Sequence, residues 1–168
     1  MDTTAKPRRA GKPLRQGFTL VELMVTLAIL AILAVIAVPS FSGLIATQAT
    51  RNASFDLSAA MTLARSEAVK QNAIATVSTT SNWATNWVLK VTVGTTTTVI
   101  RTFGPYGGVA IAPSTAAGTA LAFGNDGRPM ATGTITFQVT PTAQGQSVSP
   151  SCVQVSGTGR VAVAKGAC

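Results

Sequence analysis

The sequence predicts an α+β protein: a long N-terminal transmembrane helix whose far half packs on a C-terminal, mostly antiparallel β-sheet. Three observations predict it. Residues 18–38 read FTLVELMVTLAILAILAVIAV, uncharged from Leu23 to Val38 and without Gly or Pro until Pro39. Residues 41–72 remain rich in helix formers, with Leu57, Met61, Ala64 and Ala68 recurring at helical spacing. Beyond Asn72 the period changes to two: Trp87, Leu89, Val91 and Val93 alternate with Val88, Lys90 and Thr92.

Composition narrows the function. The 168-residue chain is 46% hydrophobic and 11% charged, with mean hydropathy +0.38. A soluble domain carries about 25% charged residues, so part of this chain is expected to live in lipid or in a protein assembly. Thirteen Lys and Arg face five Asp and Glu, giving +8, and there is no His. A His-based triad, His-ligated zinc and His-assisted thiol chemistry are therefore excluded. The carboxylates beyond residue 17 are Glu22, Asp56, Glu67 and Asp126. With so few acid–base groups an enzyme is the least expected class, and no metal, cofactor or small-molecule substrate is expected. Disorder is disfavoured by the abundance of apolar and β-branched residues.

The elements follow in order. Residues 1–17 form a basic leader: Lys6, Arg8, Arg9, Lys12 and Arg15 against Asp2 supply half the net charge. Cations directly before an apolar run hold that end in the cytoplasm. Residues 18–39 are then the membrane helix, crossing in a single pass; the 21 residues 18–38 span roughly 31 Å as helix, about one hydrocarbon thickness. An ordinary secretory signal fits poorly, because the candidate junction Gly17–Phe18 precedes the apolar core. Glu22 is the anomaly, since a carboxylate at membrane depth costs about 2.5–3.5 kcal/mol. Either it snorkels to the interface or it pairs with a cation once the helix leaves the lipid.

Pro39 removes a backbone donor and should kink the helix. Residues 40–72 form an amphipathic helix on which Ala59, Ala60, Ala64 and Ala68 let a sheet approach closely. Glu67 and Lys70, at i and i+3, read as a solvated pair. Residues 73–168 form an extracytoplasmic sheet domain, periplasmic if the family resemblance given below holds. Residues 87–103 make a hairpin that turns at Gly94–Thr97. Leu121–Phe123 is a short strand closed by the turn Gly124–Gly127. Ile135–Val139, Val153–Val155 and Val161–Val163 alternate as strands, the last two linked through Gly157-Thr158-Gly159. Residues 104–120 and 140–151 are rich in Gly, Pro, Ser, Thr and Ala and read as loops. Cys152 and Cys168 are the only cysteines. In an oxidising compartment they read as a disulfide closing a loop of about 15 residues, worth about 3 kcal/mol. A reactive thiol and a metal site are the rival readings, and both lack partners of the needed type.

The string Gly17-Phe18-Thr19-Leu20-Val21-Glu22-Leu23, after its basic leader, resembles the prepilin cleavage motif of type IV pilins and type II secretion pseudopilins. Pro39 stands where pilins often carry a helix-kinking proline. The resemblance implies cleavage after Gly17 and N-methylation of Phe18 by a prepilin peptidase. It also implies assembly with other minor and major pilins, or pseudopilins, through a helical filament core. There Glu22 would pair with the Phe18 amine of a neighbouring subunit; a buried carboxylate is costly unpaired and fixes register when paired. Three further stretches resemble minor pilins of the FimT and FimU type and the related minor pseudopilin GspH: Phe55-Asp56-Leu57 with Ala64–Lys70, Leu121–Pro129, and Gly159-Arg160-Val161. The implied function is a minor pilin acting in type IV pilus assembly or priming. The alternatives are a GspH-like pseudopilin of a type II secretion system and a pilus-borne DNA receptor in natural transformation.

FimT-type pilins use a C-terminal Gly-Arg-x-Arg pattern to bind DNA. Here the stretch is Gly159-Arg160-Val161-Ala162, with Ala162 in place of the second arginine. Lys165 has the opposite strand parity to Arg160. Arg128 and Arg101 would add charge if the fold brings them near. The DNA reading is a weak, salt-sensitive contact through Arg160, Lys165 and Arg128; against it stands an ordinary scatter of surface cations.

Overall fold

The computed structural model describes residues 17–142 and 148–168, with the backbone alone at 36–40. Most of the basic leader and the side chain of Pro39, with its expected kink, lie outside the described residues. The chain divides into two units between Val38 and Pro39. Helix α1 runs Leu20–Lys70.

Both ends of α1 are specified locally. At its start the Glu22 N–H donates to Thr19 Oγ1 at 3.2 Å, and the Thr19 N–H donates back to Glu22 Oε2 at 3.4 Å. This reciprocal capping box satisfies two of the otherwise unpartnered amides of the first turn. At its end Asn72 adopts φ 49°, the Ala73 N–H donates to Ala68 O at 3.0 Å and the Asn72 N–H to Val69 O at 3.3 Å. That pair of bonds is a Schellman stop, with Asn in the left-handed position that Gly usually fills.

Among the described residues of the C-terminal unit, eight strands form two four-stranded sheets, antiparallel throughout. The first has the order β3-β2-β1-β5, with β1 Ile74–Ser78, β2 Trp87–Val93, β3 Thr96–Phe103 and β5 Ala120–Phe123. The second has the order β4-β6-β7-β8, with β4 Val109–Pro113, β6 Ile135–Pro141, β7 Ser151–Val155 and β8 Val161–Lys165. The single sheet expected from the sequence is thus two. The expected loop 104–120 contains β4 and the first residue of β5. In β4 the exposed alternate positions are alanines, Ala110 and Ala112, so the polar half of the alternation is missing. The hairpin turns more tightly than expected, at Gly94 and Thr95, so that Thr96 already pairs with Val93. The expected loop 140–151 is shorter, since β6 reaches Pro141 and β7 starts at Ser151.

Apolar residues of α1 and both sheets meet in one core. The helix contributes Ala53, Leu57, Ala60, Met61, Ala64 and Ala68, each fully buried. Spaced three and four apart, they form one stripe; its alanines let the backbones approach, and Leu57 and Met61 fill the centre. Leu89, Phe123, Phe137 and Val153 are the corresponding inward residues of the strands. Each fully buried large side chain stabilises by about 1.5–3 kcal/mol.

An aromatic cluster ties the helix to the sheets. Trp87 stacks on Tyr106 (4.6 Å between centroids) and Phe103 (5.9 Å), and Trp83 packs edge-on against Phe137 at 4.9 Å. The Tyr106 hydroxyl donates to Asp56 Oδ2 on α1 at 2.8 Å. Burial, then the Asp56 hydrogen bond and charge, push the Tyr106 phenol well above its ordinary value of 10. A raised folded-state pKa gives stability that is complete below pH 10 and is lost as pH rises through the raised value. Tyr106→Phe, which leaves Asp56 without this donor, should cost about 1–2 kcal/mol at pH 7. In denaturant titrations that difference should shrink above pH 10 and disappear when the wild-type phenol ionises.

Candidate functional site

The N-terminal unit presents its apolar side chains to the outside on every face. From Leu20 to Val35 the large hydrophobic residues are all exposed, the least of them at 53%. A helix that is apolar all round is stable only when lipid or protein covers it. Among the described residues no helix is long and apolar enough to cross a membrane; the described side chains of this segment end at Val35.

At the head of this segment no described residue comes within 4 Å of a Cβ position on Gly17, and Phe18 is 77% exposed, so the described residues leave the Gly17–Phe18 bond accessible. Glu22 is exposed on the first turn, and its contacts to Thr19 are long, 3.4 and 3.5 Å. The capping box gives Glu22 a structural use as well, and Thr-x-x-Glu before an apolar run is its sequence signal.

In the C-terminal unit Cys152 and Cys168 form a disulfide, with Cα atoms 5.1 Å apart. It fastens the chain beyond β8 to β7, where Cys152 is buried. Replacing both cysteines by serine should lower unfolding stability by about 3 kcal/mol, read as the shift in denaturant midpoint against wild type under non-reducing conditions.

The candidate cations lie in three places. Arg128 and Arg160 follow two glycine turns that touch: a Cβ on Gly159 would collide with the Gly127 carbonyl oxygen. Arg65 of α1 lies beneath both turns, with Nε 3.2 Å from the Cβ position of Gly127 and 3.1 Å from that of Gly159. Arg65 belongs to this group although sequence spacing gave no sign of it. Asp126 tempers the local charge, 3.9 Å from Arg128 Nε. Lys165 is not in this group. It sits at the far end of β8 from Arg160 and lines a groove of about 340 Å³ with Thr47, Thr50 and Arg51 of α1. Arg101 is on β3, at the opposite edge of its sheet from β5, with its guanidinium 4.8 Å over Phe103.

Glu67 accepts from Gln71 Nε2 at 2.6 Å and from Lys70 Nζ at 3.4 Å. The Gln71 bond is the main cause that holds its carboxyl below the usual range, with Lys70 adding to it. Among the described residues no group of three or more Cys, Asp or Glu is placed to hold a metal ion.

Comparison with known proteins agrees with this geometry. Residues 53–159 match the family described as type II transport protein GspH, and residues 12–38 match the prokaryotic N-terminal methylation motif. The fold is similar to that of the type IV minor pilin FimU of Pseudomonas aeruginosa PAO1. That similarity has a TM-score of 0.57 at 20% identity, over 68% of this chain and 91% of that one. It is also similar to the minor pseudopilin EPSH from the type II secretion system of Vibrio cholerae, with a TM-score of 0.55 at 11% identity, over 73% of this chain and 98% of that one. No curated protein matches the chain. The fold is thus the one shared by that minor pilin and that minor pseudopilin. The chain belongs to the GspH family of type II transport proteins and carries the prokaryotic N-terminal methylation motif.

Proposed function

We propose that this chain primes assembly of a type IV pilus as a minor pilin. The observation that carries the reading is the all-round exposure of the apolar residues behind an accessible Gly17–Phe18 bond. Such a surface must be held in lipid before assembly and in a helical bundle after it. In this reading residues 1–17 are a leader removed by a prepilin peptidase, which then methylates the Phe18 amine. Residues 18–39 cross the inner membrane once, with the N-terminus cytoplasmic, and later enter the filament core. Residues 40–72 are the amphipathic continuation, kinked at Pro39, and residues 73–168 lie in the periplasm. Glu22 neutralises the Phe18 amine of a neighbouring pilin.

Deletion followed by parallel assays of surface piliation and exoprotein release tests the assignment. Loss of pili with normal release supports it. Loss of release with pili intact assigns the chain to a secretion pseudopilus instead.

A weak duplex-DNA contact is a second reading, favoured by the convergence of Arg65, Arg128 and Arg160 beneath and beside two touching turns. Phosphate contacts of this kind are salt-sensitive. The purified protein should retard duplex DNA at low salt and Arg160→Gln should abolish the effect; no retardation at low salt removes this reading.

A further inference from the structure

Strand β8 ends its sheet, and among the described residues nothing pairs with its outer side. Which groups point outward follows from the bonds at its two ends. The Ser156 N–H donates to Arg160 O at 3.0 Å and the Gly166 N–H to Pro150 O at 2.8 Å. Antiparallel strands exchange hydrogen bonds at every second residue pair. Ala162 and Ala164, opposite Gln154 and Cys152, therefore turn their amides and carbonyls to β7. Val161, Val163 and Lys165 turn theirs outward. The Cys152–Cys168 bridge holds β8 on β7, so this edge is fixed in place.

The groove lined by Thr47, Thr50 and Arg51 of α1 and by Ser149, Ser151, Val163 and Lys165 opens beside that edge. Its two charged residues are both cations, both exposed, and neither is in an ion pair among the described residues. Asp56 accepts from Tyr106, Glu67 from Gln71 and Lys70, and Asp126 is paired with Arg128.

We propose that the outer edge of β8 and this groove receive an extended, acidic segment of a different protein as an added strand. Backbone hydrogen bonds to Val161, Val163 and Lys165 supply the pairing, and a carboxylate beside Arg51 and Lys165 supplies the selection. The charge pattern argues against a second copy as the occupant. None of the eight strands contains Asp or Glu, and pairing β8 with itself would bring further lysines to a basic groove. An edge lysine is a known obstacle to self-pairing. The inference stands whether the chain serves a pilus or a secretion pseudopilus.

The test uses the full, oxidised chain in detergent micelles. The probes are a capped peptide in which valine alternates with threonine and two glutamates, and its glutamine counterpart. The glutamate peptide should slow amide exchange at Val161, Val163 and Lys165 while leaving Thr96–Thr102 of β3 unchanged. The glutamine peptide should bind about tenfold more weakly. Val163→Pro removes an outward donor without touching the ladder to β7, and should weaken the glutamate peptide by at least about tenfold. If that variant does not fold, Arg51→Gln with Lys165→Gln serves, and it should make the two peptides bind equally. Unchanged exchange at the three amides, equal binding of the two peptides to the wild type, or unaltered binding by a folded Val163→Pro overturns the proposal. Self-association through β8 without peptide overturns the choice of partner.

Discussion

Gly159→Ala is expected to be among the most destabilising single changes in the C-terminal unit, lowering its melting temperature by about 10 °C. Gly159 has φ +77°, where a side chain is strained, and its Cβ would collide with the Gly127 carbonyl oxygen. Relief is blocked on both sides. Arg65 lies 3.1 Å from the same position, and Gly127, itself at φ +74°, is held against Val69 and Arg65. Strain and collision together should cost about 3 kcal/mol. Gly133→Ala is the control, because Gly133 has φ +87° with open space around it and meets the strain alone. Thermal melts of the two variants should separate clearly; coincident melts would show that the two turns do not bear on one another.

Glu22→Ala is expected to leave membrane insertion and processing intact and to depress incorporation into filaments by about a hundredfold. In the proposed filament core the substitution strands the Phe18 ammonium of a neighbour without a counter-charge, and breaking a buried pair costs about 3–5 kcal/mol. Glu22 is also half of the capping box, so the variant alone does not isolate the charge. Thr19→Ala does: it removes the cap, worth about 1 kcal/mol, and keeps the carboxylate. Quantitative immunoblots of sheared filaments should show near-normal Thr19→Ala and almost no Glu22→Ala. Equal incorporation of both would refute the pairing role.

Legibility in the sequence followed contrast between neighbouring residues. Helix α1 was evident because Leu57, Met61, Ala64 and Ala68 stand out from polar neighbours at one period. Its stop was less so, because Asn72 takes over a position usually marked by Gly. The β2–β3 hairpin and strands β6 to β8 were readable from valine and threonine alternation. Strands β1 and β4 were not singled out, since alanines dilute the pattern in IATVS and VAIAP. The division into two sheets depends on which strands pair, and hydropathy periods carry no pairing information. Among the candidate site residues, the Cys152–Cys168 link was legible from count and compartment. The meeting of Arg65 with the turns before Arg128 and Arg160 was not, because it depends on the Gly127–Gly159 approach across distant segments. Lys165, joined with Arg160 in the DNA reading despite its opposite strand parity, lies at the other end of β8, and its neighbour Arg51 emerges only once β8 is laid beside α1.

The aromatic cluster also determines what light can report. Both tryptophans of the chain, Trp83 and Trp87, lie in it, and its single tyrosine, Tyr106, is stacked on Trp87. Excitation absorbed by Tyr106 should pass efficiently to Trp87, so near-ultraviolet emission comes from one small volume of the C-terminal unit. A fluorescence spectrum will register the opening of that volume and stay constant if, as in the proposed assembly, the helix ahead of Pro39 exchanges lipid for protein neighbours. The proposed polymerisation and the unfolding of the C-terminal unit would thereby be spectroscopically separable without any added dye.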